Sequence, residues 1–507
     1  FLVSANKEVG DFDLTLTGGG NQLRRRSDIN NVQVNDFVIR GLYTVQNGRA
    51  KNPVYSLIEQ GVNSLYSSGE ISWKRTLYLN GTVRNDWFST LSAANRSILY
   101  PSVSGAYVFS EHLKNVSWLD FGKIRLGYAE VGSDGDVSPY SDQLFYSINS
   151  NLINNPNGTP VAVGGSGGTV PNANLKPSRV AETEVGLELK MFKSRVNLDI
   201  AAYRKITSDQ IVPVQISNAS GFVNTRINSG KSRNLGFEVL LTLLPVQTKN
   251  FNWEFTANTS FNKTKVLSIL TNTPGESITI GFHPFNGEIR NVVGEEIGQI
   301  AGFGYARDAK GQRIFQANGI PLRTPTLILF GSALPKWTGG FLNSFAYKGV
   351  NLTVFIDYKL GNKILSGTNF NAVRHGLHKM TLEGRESGVI GDGVDASGAV
   401  NTAVAANQTY WEHLRSQALV ESVVYDGGYW KLRQVTLGYD FTKYVPASWP
   451  VKGLKIDFVA NNVLMIKKWI DNIDPETAGY SSDNMIGLES AGLPSTRGLG
   501  VNLNIKF

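Results

Sequence analysis

The sequence predicts an all-β fold, a transmembrane antiparallel β-barrel. Three observations lead there. Apolar and polar residues alternate with a period of two over segments of ten or more residues. Short and long connections between those segments alternate along the chain. The chain also carries no apolar run near the roughly 18 residues a membrane helix needs, so membrane crossing by strands stays open where crossing by helices does not.

The alternation is clearest at the end of the chain. Leu499, Val501, Leu503, Ile505 and Phe507 share one face, and Gly500, Asn502, Asn504 and Lys506 the other. From Val350, the residues Val350, Leu352, Val354, Ile356, Tyr358 and Leu360 form an apolar face against Asn351, Thr353, Phe355, Asp357 and Lys359. Similar faces are Val185/Leu187/Leu189/Met191, Val196/Leu198/Ile200/Ala202, Val435/Leu437/Tyr439/Phe441 and Leu454/Ile456/Phe458/Ala460. None of these faces holds a charge, as expected where a Lys or Arg at mid-membrane costs about 2–4 kcal/mol. Soluble strands are most often about five or six residues, whereas a tilted membrane strand needs about 9–11.

Fifteen strands are expected, near 1–8, 12–23, 62–73, 76–87, 102–110, 119–132, 182–191, 195–208, 223–244, 251–266, 336–347, 350–361, 429–441, 454–466 and 496–507. Long external loops are expected near 24–61, 133–181, 267–335, 362–428 and 467–495, with shorter ones near 88–101 and 209–222 on the same side. Short turns on one side and long loops on the other are the layout of an outer-membrane barrel. An odd strand count that starts at the outer face predicts further strands upstream, so residues 1–507 read as the C-terminal part of a longer barrel.

Composition agrees. Charged residues are 18% of the chain, below the roughly 25% of soluble domains, so a large apolar surface has room. No cysteine is present, which excludes disulfide scaffolds, thiolate metal sites and cysteine nucleophiles. The net charge of +8 is diffuse, its densest cluster being Arg24-Arg25-Arg26, and no nucleic-acid-binding signature accompanies it.

Several motifs then carry a resemblance. They are Arg84-Asn85-Asp86-Trp87-Phe88-Ser89 with Tyr100-Pro101-Ser102-Val103-Ser104-Gly105-Ala106-Tyr107; Lys123-Ile124-Arg125-Leu126-Gly127-Tyr128; and Asn172-Ala173-Asn174-Leu175-Lys176-Pro177. Asn228-Ser229-Gly230, Tyr425-Asp426-Gly427-Gly428-Tyr429-Trp430-Lys431-Leu432-Arg433-Gln434-Val435, Ala460-Asn461-Asn462-Val463-Leu464 and Asp474-Pro475-Glu476 follow in order. Together they resemble SusC/RagA-type TonB-dependent outer-membrane transporters, and Phe507 resembles a C-terminal barrel-insertion signal. Tyr100 stands where the family has Phe, and the family's plug domain and signal peptide are not in this sequence.

The resemblance implies a barrel of about 22 strands, the plugged-transporter class, of which this chain supplies about 15. It implies a Gram-negative outer-membrane importer of glycans or peptides. A SusD-like surface lipoprotein would be the partner, and energy would come from TonB–ExbB–ExbD through a plug carried outside this chain. The remaining N-terminal barrel portion and outer-membrane lipid are further partners. An extracellular β-rich adhesin or glycan-binding protein is the alternative, and strands of five or six residues would support it.

No catalytic site is expected. The chain has no G-x-S-x-G elbow, and its Gly-rich stretches lack the Lys of a phosphate cradle. His375 and His378 lack a third ligand nearby in sequence, and Asp134-Gly135-Asp136 and Asp471–Glu476 lack EF-hand spacing. No cofactor is expected, with a structural calcium in the external loops as the weaker reading. Candidate substrate or partner contacts are Tyr410, Trp411, Tyr305, Phe282, Phe285 and Arg374, all in the long loops. The competing reading for each aromatic is that it packs the loops.

Overall fold

The computed structural model describes residues 1–507 apart from 136, 149–152, 155–156, 158–159, 162–163, 167, 284–285 and 478–485. Fifteen strands follow one another in chain order in one sheet. They are β1 (Leu2–Val9), β2 (Phe12–Phe37), β3 (Gly48–Trp73), β4 (Leu77–Phe88), β5 (Ser97–Tyr107), β6 (Leu119–Ser133), β7 (Ser178–Met191) and β8 (Val196–Ser208). Then come β9 (Lys231–Gln247), β10 (Phe251–Ser268), β11 (Trp337–Tyr347), β12 (Val350–Leu360), β13 (Tyr429–Asp440), β14 (Gly453–Lys468) and β15 (Gly498–Lys506). Within this sheet every strand pairs with its neighbours in that order, a meander rather than a Greek-key sandwich. The expected all-β class and its long membrane-length strands are what the structure has.

One expectation fails. The segment 24–61, expected as an external loop, is mostly ladder: β2 and β3 each run 26 residues and pair without a bulge from Phe12↔Trp73 to Asn35↔Ala50. Both faces of the ladder beyond Arg24 are largely exposed, so there is no buried side to impose alternation on the sequence.

The chain divides into two compact units, described separately. The first comprises residues 1–107, 125–183 and 205–231. Its register places Leu14, Leu16, Ile71, Leu79, Val83, Leu99 and Val103 on one face of β2–β5. All seven are exposed, although large aliphatic residues normally hide from water. The opposite face carries Ser64, Thr82, Arg84, Asp86, Ser102 and Ser104.

The second unit comprises 108–124, 184–204 and 232–507. Its hairpin β11–β12 turns through Lys348 and Gly349, both at positive φ (46° and 96°), the geometry that matches the strand twist in a two-residue turn. Aromatic pairs mark both ends of its strands. Phe251 with Tyr347 and Trp253 with Phe345 lie at the turn end, Phe261 with Trp337 and Tyr358 with Trp430 at the loop end. Two aromatic girdles around an apolar band are how strands settle between two membrane interfaces.

The face assignment is testable. Val103 pairs with Gly81 midway along β4–β5 and is 56% exposed, and Ser104 points to the other side. Val103→Arg is expected to cost about 2–4 kcal/mol in urea refolding into lipid vesicles, and Ser104→Arg well under that. Equal costs for the two would show that neither face meets hydrocarbon.

Candidate functional site

The strongest concentration of buried charge lies in the second unit, on β13. Lys431 and Arg433 are two apart and in a regular strand would share the face of Val435. The ladder slips instead. Phe355 pairs with Gln434 and Ile356 with Leu432, leaving Arg433 as the extra residue of a bulge. On the other side Leu432 pairs with Leu464 and Gln434 with Asn461, and Asn462 takes up the slack at φ 51°. The bulge keeps Leu432, Val435 and Leu437 on the apolar face while Arg433 joins Lys431 on the polar one.

On that polar side the long loop after β14 folds back. Lys431 Nζ donates to Glu476 Oε2 and to Ser495 Oγ, both at 2.7 Å, and lies 3.7 Å from Asp474 Oδ2. Arg433 grips Glu476 with two donors, Nη2 to Oε1 at 2.7 Å and Nη1 to Oε2 at 3.0 Å. Its Nε reaches Asp357 Oδ2 at 3.0 Å, and Nη1 also reaches Asn462 Oδ1 at 3.0 Å. The Lys431 side chain is only 3% exposed. Burial pushes the Glu476 carboxyl up, but the hydrogen bonds and charges of Arg433 and Lys431 outweigh it and hold it below its ordinary value. Asp474 is likewise raised by burial and lowered further by Ser495, the Glu476 amide and Lys431, with a net fall.

Three long loops share one core above this anchor. Ile364 and Leu365 pair with Tyr425 and Val424 on one side, and Leu365 pairs with Leu488 on the other. Leu365 leads into α1 (Gly367–Arg374), whose N-cap Ser366 accepts from the Asn369 amide at 3.0 Å. The buried Glu489 carboxylate sits at the same helix end, accepting from Ser366 Oγ (2.9 Å), the Thr368 amide (2.9 Å) and Thr368 Oγ1 (2.7 Å). Negative charge is favoured there by the unpaired first-turn amides. Phe370, Val373, Leu414, Val420, Val423, Ile289 and Ile300 fill the core.

The predicted contact residues divide. Tyr305 and Tyr410 are buried, at 4% and 6% exposure, and lie with Trp411 around His413. Tyr305 Oη lies 3.3 Å from His413 Nε2, and the Arg313 guanidinium sits 4.2 Å over the Tyr305 ring. Burial lowers His413 to about 4, so it is neutral at physiological pH, and raises the Tyr410 hydroxyl to about 12. These two tyrosines pack the loops in this structure. Trp411 and Arg374 are half-buried, Arg374 Nε standing 4.0 Å from Glu412 Oε2. Phe282 is 70% exposed on a separate hairpin, and Phe285 lies outside the described residues. Sequence reasoning set Lys431 and Arg433 inside a motif without giving them a role, and it gave none to Asp357 or to His413, which joins the aromatic group.

His375 and His378 part company: His375 is exposed, while buried His378 accepts from the Met380 amide through Nδ1 at 3.2 Å. Among the described residues no three His, Asp or Glu side chains are grouped to hold a metal ion. Asp474 and Glu476 direct their oxygens at cations and amides of the anchor, and Asp136 is outside the described residues.

In the first unit the early motifs also meet. Arg84 Nε donates to Asp86 Oδ1 at 2.8 Å and Nη2 to Ser64 Oγ at 2.9 Å, and the Tyr100 hydroxyl donates to Asp86. Leu175 packs with Phe88, Leu91, Ile98, Tyr100 and Val137. Asn228 accepts from the Lys176 amide at 2.7 Å and donates to the Lys176 and Asp209 carbonyls at 2.7 and 2.9 Å. In both units the arrangement is one that fastens loops to strands.

The sequence pattern of a family described as "TonB dependent receptor-like, beta-barrel" matches residues 3–463. A TonB-dependent receptor P26 of Formosa agariphila is 24% identical over 481 residues, covering 88% of this chain and 46% of the relative. The TonB-dependent receptor SusC of Bacteroides thetaiotaomicron is 25% identical over 246 residues, 48% of this chain and 24% of the relative. The solved RagAB peptide transporter superposes with a TM-score of 0.78 at 19% identity, covering all of this chain and 55% of that one. The chain spans about half the length of the first curated relatives it matches.

Proposed function

Because the chain belongs to the TonB-dependent receptor β-barrel family of Gram-negative outer membranes, we propose that it forms most of the wall and external loops of a nutrient importer. Members of this family are transporters and not enzymes. In our reading the cargo is a glycan or a peptide, a SusD-like lipoprotein covers the external loops, and TonB drives import through a plug. The observation that carries the reading is the division of faces. Apolar side chains are exposed on one side of the strands, and on the other buried ion pairs tie long loops down over the polar surface. Such loops suit a receptor that must present a fixed surface to cargo and to a covering partner.

The test uses the full-length protein in its native host. Deleting its gene is expected to abolish growth on one class of oligomer, glycan or peptide, and deleting TonB to have the same effect. Copurification is expected to recover one surface lipoprotein. Growth that survives on every polymer tested, or uptake indifferent to TonB, would defeat the reading.

A further inference from the structure

We propose that the outer rim of β2–β4 carries a binding site for the phosphate of an outer-leaflet glycolipid. The site is a notch of about 720 Å³ lined by Arg24, Arg25, Arg26, Glu59, Trp87 and Arg96, among others. It rests on the outer-membrane placement of the family and not on the nature of the cargo.

The height of the notch follows from the register. Arg24 lies on the same face as Phe12, Leu14 and Leu16, twelve residues along β2 from Phe12. At about 3.3 Å per residue and a tilt near 40°, that is roughly 30 Å, just past an apolar band about 25 Å tall. Trp87 is on this face at the same level, through Gln22↔Asn63 and Asn63↔Trp87. An indole beside guanidinium groups at that height is an interfacial arrangement. Arg24 therefore stands where headgroups are, on the side that faces lipid.

The charge balance supports an anion. Arg26 is offset by Asp28 at 3.2 Å and Glu59 at 3.7 Å. For Arg24 and Arg96 the described residues supply no carboxylate within salt-bridge distance, and Arg25 alternates to the opposite face of the unbulged ladder. Arg24 Nη1 instead donates to the Leu23 carbonyl at 3.2 Å and to Asn63 Oδ1 at 3.3 Å, and Gln22 Nε2 holds Asn63 Oδ1 at 3.1 Å. Gly61 gives the guanidinium its space, since a Cβ there would lie 2.4 Å from Arg24 Nη1. The Arg24 guanidinium, a fork of donors held in place with no paired carboxylate, matches phosphate oxygens.

The experiment takes the full-length transporter into nanodiscs of phosphatidylcholine doped with bisphosphorylated lipid A, or with lipid A stripped of its phosphates. Bound lipid is read by native mass spectrometry. The wild type is expected to retain the phosphorylated form over the stripped one. Arg24→Gln with Arg96→Gln is expected to lower that retention about thirtyfold, and Arg24→Lys with Arg96→Lys only a few-fold. Equal retention of the two lipids by the wild type, which needs no variant to fold, overturns the proposal. So does undiminished retention by a glutamine variant that keeps its compact band on unheated gels. Displacement of the lipid by inorganic phosphate would make it a soluble-anion site, and a polypeptide in its place would make it a partner surface. Each of those results also overturns it. Uptake of cargo by the glutamine variant is expected to be unchanged, so a failed import reading shows up separately.

Discussion

Replacing Lys431 with methionine is expected to cost about 3–5 kcal/mol, the usual penalty when one partner of a buried ion network is removed. The side chain is almost wholly enclosed and its ammonium faces both Glu476 and Asp474. Without it, Arg433 alone must serve Asp357 and Glu476, and Asp474 keeps only Ser495 and nearby amides. The loop after β14 then loses one of its two cationic ties to β13, keeping only the Arg433–Glu476 pair. A protease that cuts only opened loops is expected to cleave near 470–495 at least a hundredfold faster, while the strands keep their compact band on unheated gels. Methionine fills the aliphatic volume, so the loss is electrostatic and not a cavity. A cleavage rate unchanged from wild type would mean that the loop is held by its apolar contacts instead.

The same cluster sets a pH dependence. Asp474 and Glu476 both titrate below the ordinary carboxylate range in the folded protein. The unfolded chain therefore takes up protons first as pH falls. The stability contributed by the pair is complete near neutrality and is lost as pH drops below about 4, through the lowered folded values. Loop cleavage by an acid-tolerant protease should rise steeply there in the wild type and much less in Glu476→Gln.

The strands were legible in the sequence because hydrocarbon on one side and polar groups on the other force a period of two. Where that contrast stops, legibility stops. The ladder from Arg24 to Phe37 is exposed on both faces, so charge and polar residues run on without a period and read as loop. The bulge at Arg433 was hidden for a related reason. A single extra residue shifts the phase of two charges, and only the register of both neighbouring strands reveals it. Tyr305 and Tyr410 were visible as loop aromatics, yet their burial depends on His413 and Arg313, which lie up to more than a hundred residues away in sequence. Sequence spacing carries no signal for such contacts. The motifs shared with SusC/RagA-type proteins did mark the anchor, because Lys431, Arg433, Asp474 and Glu476 all fall inside them.

Phe370→Ala is expected to cost about 3–5 kcal/mol, the range for emptying an aromatic site in a packed core. Phe370 sits on α1, 1% exposed, in the cluster that joins Leu365, Leu414, Val423 and Leu488. A helix of eight residues is far too short to persist by its own propensity, so packing must hold it. The neighbours cannot collapse easily into the void, since Leu365 is fixed on both sides by strand pairing and Ser366 by Glu489. Opening is therefore expected to spread through residues 362–428 as one unit rather than stay at the mutated site. Hydrogen exchange should show it, with protection falling by about two to three powers of ten across α1 and the paired segments at 364–366, 424–426 and 488–489 together. Protection in β4 and β5 is expected to stay as it was. A loss confined to α1 would mean that the three loops fold independently, and the shared core would then be a contact without cooperativity.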